Sequence, residues 1–169
     1  DQLAAIMEAG QWAPSPMNAL PWEYIIITDA KVKAQIREVS EAAKQAVLDG
    51  GGPGFAAKYD MTVLEQAPVI IAVVFDPTKK GLGDFFNQKH GALQAASACV
   101  ENMMLAAAEY ELGSLWFTWF DPEKMQAALN IPENLEIAAL IPLGKPKGDA
   151  KAPPRPEPRI HREGFTASA

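Results

Sequence analysis

Ser15 and Asn18 place a hydroxyl and a carboxamide three residues apart in a stretch also holding Pro14, Pro16 and Pro21. In a loop so constrained they can recognise the polar edges of a bound molecule, or they can form an N-cap or Asx turn ahead of a strand. Trp116, Phe117, Trp119 and Phe120 put four aromatic rings into five positions. These could wall a planar ligand or fill a core, and for Phe120 the core is the preferred reading. Lys145, Arg155, Arg159 and Arg162 could pair with phosphate oxygens, because guanidinium forks match their geometry, or could form a solvated basic tail. His90 and His161 are the only histidines and Cys99 the only cysteine. Neither histidine has zinc-protease spacing or a triad context, so exposed or structurally satisfied rings are expected. One cysteine excludes an internal disulfide and any cysteine-rich zinc or iron–sulfur site, and a reducing compartment fits best.

The elements that must position these residues follow from periodicity. Leu3, Ile6, Met7 and Gly10 recur at helical spacing until Ala13-Pro14, so a short helix feeds the proline loop. A buried strand is expected over Glu23–Thr28, then a helix capped by Thr28 or Asp29 and carrying Val32, Ile36, Val39, Ala43 and Val47. Gly50–Gly54 marks a mobile loop, a short helical segment is expected around Met61–Gln66, and Val69–Phe75 is a strand. An Ala-rich helix, centrally buried, is expected from about Asp84 to Tyr110. Asp121-Pro122-Glu123 opens another helix through Leu129, and Ile137–Leu143 supplies a further strand. Residues 145–169 hold five prolines and read as an extended arm. Strand order is not deducible from this pattern, but an α+β or three-layer α/β sandwich is.

At 169 residues the chain has room for one sizeable core, so a single domain over 1–169 is expected. The formal charge of −6 argues against nucleic acid and anionic lipid as partners. No apolar run reaches the ~20 residues of a spanning helix, and the start lacks a secretory signal pattern, so a cytoplasmic location is expected. Gly50–Gly54 and Gly81-Leu82-Gly83 match neither G-x-G-x-x-G nor a P-loop, which counts against a Rossmann dinucleotide site.

Three ordered segments resemble the nitroreductase family. Ala13-Pro14-Ser15-x-x-Asn18-x-x-Pro21-Trp22 is similar to the family's A-P-S-x-x-N-x-Q-P-W, with Leu20 in place of the glutamine. Asn102-Met103-Met104-Leu105-Ala106-Ala107, then Leu112-Gly113-Ser114-Leu115-Trp116 and Phe120-Asp121, resembles N-x-x-L-A-A, L-G-S-x-W and F-D. Leu143-Gly144-Lys145-Pro146 precedes arginines in a proline-rich tail, as in the family. The resemblance implies an α+β fold, a three-layer α/β/α sandwich with a central mixed sheet and an extended C-terminal arm. It implies an FMN enzyme that uses NADH or NADPH as a transient donor and passes a hydride to a small-molecule acceptor such as a nitroaromatic or quinone, by a ping-pong mechanism. A flavin-binding or interaction protein of the same fold without turnover is the alternative.

On the same ground Pro14, Ser15 and Asn18 approach a flavin held largely by the neighbouring subunit of a homodimer. Trp116, Phe117, Thr118 and Trp119 lie beside the flavin ring, where backbone amides can stabilise developing negative charge. Arg155 and Arg159 reach its phosphate, Arg159 best matching the family's tail arginine. No catalytic side chain is implied, since a flavin carries the redox step itself. Family members usually carry a basic R-R-S-x-R segment upstream of the first helix that grasps the phosphate. This chain begins downstream of that point, and truncation is the expected reason, with a weakened flavin grip as the alternative.

Overall fold

The computed structural model describes residues 1–148 and 152–165. Positions 149–151 and 166–169 of the expected arm lie outside the described residues. The helices are α1 (Gln2–Gln11), α2 (Ala30–Asp49), α3 (Val63–Gln66), α4 (Gly83–Phe86), α5 (Gly91–Glu109) and α6 (Pro122–Ala128). The strands are β1 (Trp22–Ile27), β2 (Val69–Phe75), β3 (Gly113–Ser114) and β4 (Glu136–Gly144), and 3₁₀ turns cover Pro16–Asn18 and Gly54–Lys58.

Caps set the helix boundaries. Asp29, not Thr28, starts α2, its Oδ1 accepting the N–H groups of Lys31 at 2.8 Å and Val32 at 3.1 Å. Asp121 starts α6 by accepting from the Lys124 N–H, with Pro122 in the first turn where its missing N–H costs nothing. The helix expected from 84 to 110 is two helices. Asn87 takes a left-handed φ of 54° that ends α4, and Gly83 meets Gln88 so closely that any Cβ would collide with its carbonyl. The chain folds back there, and α5 begins only at Gly91.

The four strands form one sheet in the order β1-β2-β4-β3. Every pairing among the described strands is antiparallel, which corrects the expected mixed sheet. A strand–helix–strand order suggests a parallel crossover. Here α2 carries the chain away from the end of β1 and residues 50–68 bring it back to that same end, where Ile27 pairs with Ile70. The sandwich itself is as expected. Ile71, Val73 and Phe75 of β2 join Ala139, Ile141 and Leu143 of β4 in a core with α1 and α5. Ile70, Ala72 and Leu140 point to the other face, with Ile36, Leu64 and Met125 of α2, α3 and α6. Helices on both faces explain why β2 reads as a continuous apolar run and not as an alternation. Beyond β4, residues 152–165 form no helix or strand, and all but His161 are exposed.

Asp29→Ala removes both cap bonds while leaving the core untouched. It is expected to cost about 1 kcal/mol, seen as a lower urea midpoint with an unchanged m-value.

Candidate functional site

The proline loop is built between two fixed points. Ala13, 4% exposed, and Trp22, 5% exposed, are both in the core beside α5. Pro21 accepts a hydrogen bond from the Asp76 N–H at 2.9 Å, tying the loop's exit to the end of β2. Between these anchors Met17, Asn18 and Leu20 have φ of 53°, 54° and 43°. Asparagine tolerates the left-handed region; methionine and leucine adopt it at a cost. Three bonds hold the shape: Asn18 N–H to the Ser15 carbonyl, Ala19 N–H to the Pro16 carbonyl, and Leu20 N–H to Ser15 Oγ at 3.0 Å.

Of the two roles left open by sequence, Ser15 takes the turn-closing one. Ser15 Oγ closes the loop as an acceptor, and its hydroxyl hydrogen is left to donate elsewhere. The Asn18 carboxamide is exposed and makes no hydrogen bond among the described residues. Pro16 is seated against the 80s segment, where glycine is required: a Cβ on Gly81, whose φ is +63°, would lie 2.7 Å from Pro16 Cβ, and one on Gly91 3.1 Å from Pro16 Cγ. Pro14, Ser15 and Pro16 line a shallow cleft of about 250 Å³ with Gly91, Gln94 and Ala98 of α5.

The second segment runs along the opposite side of the core. Phe117 pairs with Leu140 through two 2.9 Å backbone bonds and is 2% exposed. Its ring is in the core and its N–H and carbonyl both pair with Leu140, so Phe117 anchors the segment. Thr118 lies just past that bridge, outside the ladder, and is exposed. Trp116 and Trp119 are half-buried. The Trp119 ring packs against Tyr59 with centroids 5.4 Å apart and against Phe55 at 6.3 Å, edge to face. That contact joins residues sixty positions apart and carries no local sequence signal. Trp119 and Phe120 also floor a cavity of about 640 Å³ under Ala42, Ala46 and Val47 of α2.

Arg155, Arg159 and Arg162 are exposed on the extended arm, and Lys145 is exposed at the end of β4. His90 is exposed ahead of α5, and the His161 ring stacks on Phe165 at 4.4 Å. Among the described residues, Pro14–Pro16 and Trp119 line separate cavities. Behind the loop is a polar pair with no counterpart in the sequence reading. Tyr24 Oη and Cys99 Sγ lie 3.1 Å apart, with Gln11 donating to the phenol oxygen. Burial first and Cys99 second push the Tyr24 phenol well above its usual range, and burial pushes the Cys99 thiol up to about 11.

The fold and these loops define a helix–sheet–helix protein that would hold a ligand by loop and backbone polar groups. No group of three His, Cys, Asp or Glu residues able to hold a metal occurs among the described residues. None of the described helices is long and apolar enough to cross a membrane.

The chain belongs to the nitroreductase family, whose sequence model matches residues 1–145. It is 26% identical to an iodotyrosine deiodinase of Thermotoga neapolitana over 98% of this chain and 87% of that protein. It is 29% identical to an NADH dehydrogenase of Thermus thermophilus over 85% of this chain and 75% of that one. Its fold is that of a crystal structure of oxidized iodotyrosine deiodinase bound to FMN and 3-iodo-L-tyrosine. The TM-score is 0.84 at 24% identity, covering 97% of this chain and 88% of that one.

The Cys99 thiol gives a pH test. Its pKa in the folded state exceeds the unfolded value of about 8.5, so the folded protein holds the proton longer and stability is lost as pH rises from about 9 to 11. In Cys99→Ala, the stability lost between pH 8 and pH 10.5 is expected to be smaller by about 1–2 kcal/mol. Urea titrations at the two pH values measure it.

Proposed function

We propose that the protein is an FMN-dependent oxidoreductase that takes a hydride from NADH or NADPH and delivers it to a nitroaromatic, quinone or related conjugated acceptor. The observation that carries this reading is the Ser15–Leu20 loop, held against a buried core in a conformation that leaves the Asn18 amide and the Ser15 hydroxyl hydrogen free to bind. FMN, when bound, supplies the two-electron redox chemistry, so the protein needs to bind, orient and stabilise charge.

The residues present fit that requirement. Asn18 and Ser15 offer donors and an acceptor to the polar edges of a flavin, with Pro14 shaping the approach. Thr118 and the backbone from Trp116 to Trp119 offer groups outside the sheet ladder, where N–H donors stabilise negative charge; Phe117 contributes only by anchoring them. Trp116 and Trp119 supply half-buried ring faces. Arg155 and Arg159 are exposed guanidinium groups in residues 152–165, which form no helix or strand, and are able to close on a phosphate. A nicotinamide donor and the acceptor use the open site in turn, which gives ping-pong kinetics. The NADH dehydrogenase relative supports the donor, and the FMN-bound deiodinase supports the cofactor. The deiodinase likeness also favours a second acceptor class, a halogenated aromatic.

A homodimer is part of the proposal. Pro14–Pro16 and Trp119 line separate cavities, and a second copy would bring the loop of one to the 116–119 segment of the other. Trp12 ahead of that loop and Met17 within it are 81% and 78% exposed, and Leu105 of α5 is 61% exposed. Burying such side chains between copies is favourable by about 1.5–3 kcal/mol each when complete.

Asn18→Gly tests the loop, because glycine accepts a φ of 54° while removing the amide. FMN affinity is expected to fall about 3- to 10-fold, the loss of one hydrogen bond, with little change in melting temperature. Unchanged affinity would remove Asn18 from the site. Anaerobic bleaching of the flavin absorbance by NADH tests the activity, and flavin colour without bleaching would leave a binding protein of the same fold.

A further inference from the structure

We propose that the cavity between α3 and the β3–β4 end of the sheet is a binding site for a soluble phosphate monoester with a short apolar body, separate from the segments assigned above to the flavin.

The cavity holds about 350 Å³, in the range of small-molecule sites. Val63 and Ala67 form its apolar part on one side, and Leu115, Pro142 and Leu143 on the other. Ala67, Pro142 and Leu143 are themselves buried, so this surface is fixed by the core behind it. The rest of the lining is polar and of one sign. Lys145, Lys147, Ser114 and Gln66 contribute to it, and none of the lining residues is acidic. That is a local excess of two positive charges in a chain whose net charge is −6. Among the described residues neither lysine makes an ion pair, and the Ser114 hydroxyl makes no hydrogen bond. Gln66 donates one amide hydrogen to Thr62 Oγ1 and keeps the second.

The surroundings remove what would oppose an anion. Glu65, beside Gln66, is paired with Arg37 at 2.6 Å. Lys33 Nζ donates to the Glu65 and Ala67 carbonyls, which engages carbonyls at the negative end of α3. Gly144 lies so close beneath Pro68 that a Cβ would be 2.9 Å from Pro68 Cδ, and this contact holds the two sides of the cavity at a fixed spacing. A phosphate monoester carries about −1.5 to −2 charge at pH 7 and three acceptor oxygens. It matches two ammonium groups, a hydroxyl and an amide hydrogen, while its body covers the apolar wall. A carboxylate brings about half the charge and fewer acceptors.

The test is calorimetric titration of the protein, saturated with FMN, with hexyl phosphate, hexanoate and hexanol. Hexyl phosphate is expected to bind most tightly, and ethyl phosphate more weakly by up to about 4-fold for each methylene removed. Lys145→Met and Lys147→Met are each expected to raise the Kd of hexyl phosphate about 2- to 5-fold, the worth of one exposed ion pair, with hexanol unaffected. Arginine at either position is expected to retain binding. The same Kd in wild type and the double methionine variant overturns the proposal, as does hexanoate binding as tightly as hexyl phosphate. A rise in free-FMN fluorescence on adding hexyl phosphate overturns it too, because the ligand would then be occupying the flavin's own phosphate site. Sedimentation with phosphatidate vesicles, abolished by the lysine variants, would replace the soluble ligand with a lipid headgroup and overturn that part. If the protein takes up no FMN, the proposed function falls, while the lysine comparison still decides this site.

Discussion

The burial of β2 against β4 is the constraint on which the rest of the structure depends. Ile70, Ile71, Ala72 and Val73 are fully buried, as are Ile141, Leu140 and Ala139, the partners of the last three. Side chains of this size contribute about 1.5–3 kcal/mol each when removed from water, and the ladder satisfies their backbone groups. Because both faces are apolar, helices must cover both, and the chain must return to one end of the sheet to lay β2 beside β1. The two candidate ligand-binding segments are then fastened to opposite parts of this ladder, one through Pro21 and Asp76, the other through Phe117 and Leu140.

Anchorage of this kind lets a loop hold an unfavourable backbone. Met17 and Leu20 at positive φ would each cost of order 1–3 kcal/mol in isolation. The loop keeps them because Ser15 ties down Leu20, and because Pro16 is pressed against Gly81, where only glycine fits, and closely against Gly91. The strain concentrates in the segment whose polar groups face outward, while Ala13 and Trp22 on either side are buried in ordinary fashion. Tyr24 and Cys99 add a small polar pair beneath it, next to Gly10, where any Cβ would lie 2.7 Å from the phenol oxygen.

Elements governed by local physics were legible in the sequence, and those governed by distant contacts were not. α2 and α6 follow from their aspartate caps and periodicity, and β2 from its apolar run. The break at Asn87 escaped because residues 84–90 stay helix-compatible in composition; what ends the helix is the close approach of Gly83 to Gln88. The antiparallel order escaped because local pattern cannot say that residues 50–68 double back. In the candidate site, the proline setting made it legible that Ser15 and Asn18 sit in a constrained loop. Phe117 shares the aromatic character of its neighbours, and only the bridge to Leu140 distinguishes its fully buried ring from the partly buried rings beside it.

The same separation bears on how family members with one core come to carry different names, a deiodinase and a dehydrogenase among them. Residues that are fully buried in the two layers cannot touch a ligand, so they can set the frame for a reaction but not its electron acceptor. That choice falls to side chains the frame holds without enclosing. In this chain those are concentrated in connections whose ends are pinned and whose middles are not. Phe55 lies between Gly51 and the Tyr59 anchor, and Phe85 and Phe86 lie between Gly81 and Gly91, all of them more than 60% exposed. A connection fixed at both ends can exchange its exposed residues at little cost to the sheet. Acceptor specificity is therefore free to change faster than fold, and the family assignment reaches the chemistry of the scaffold before it reaches the identity of the substrate.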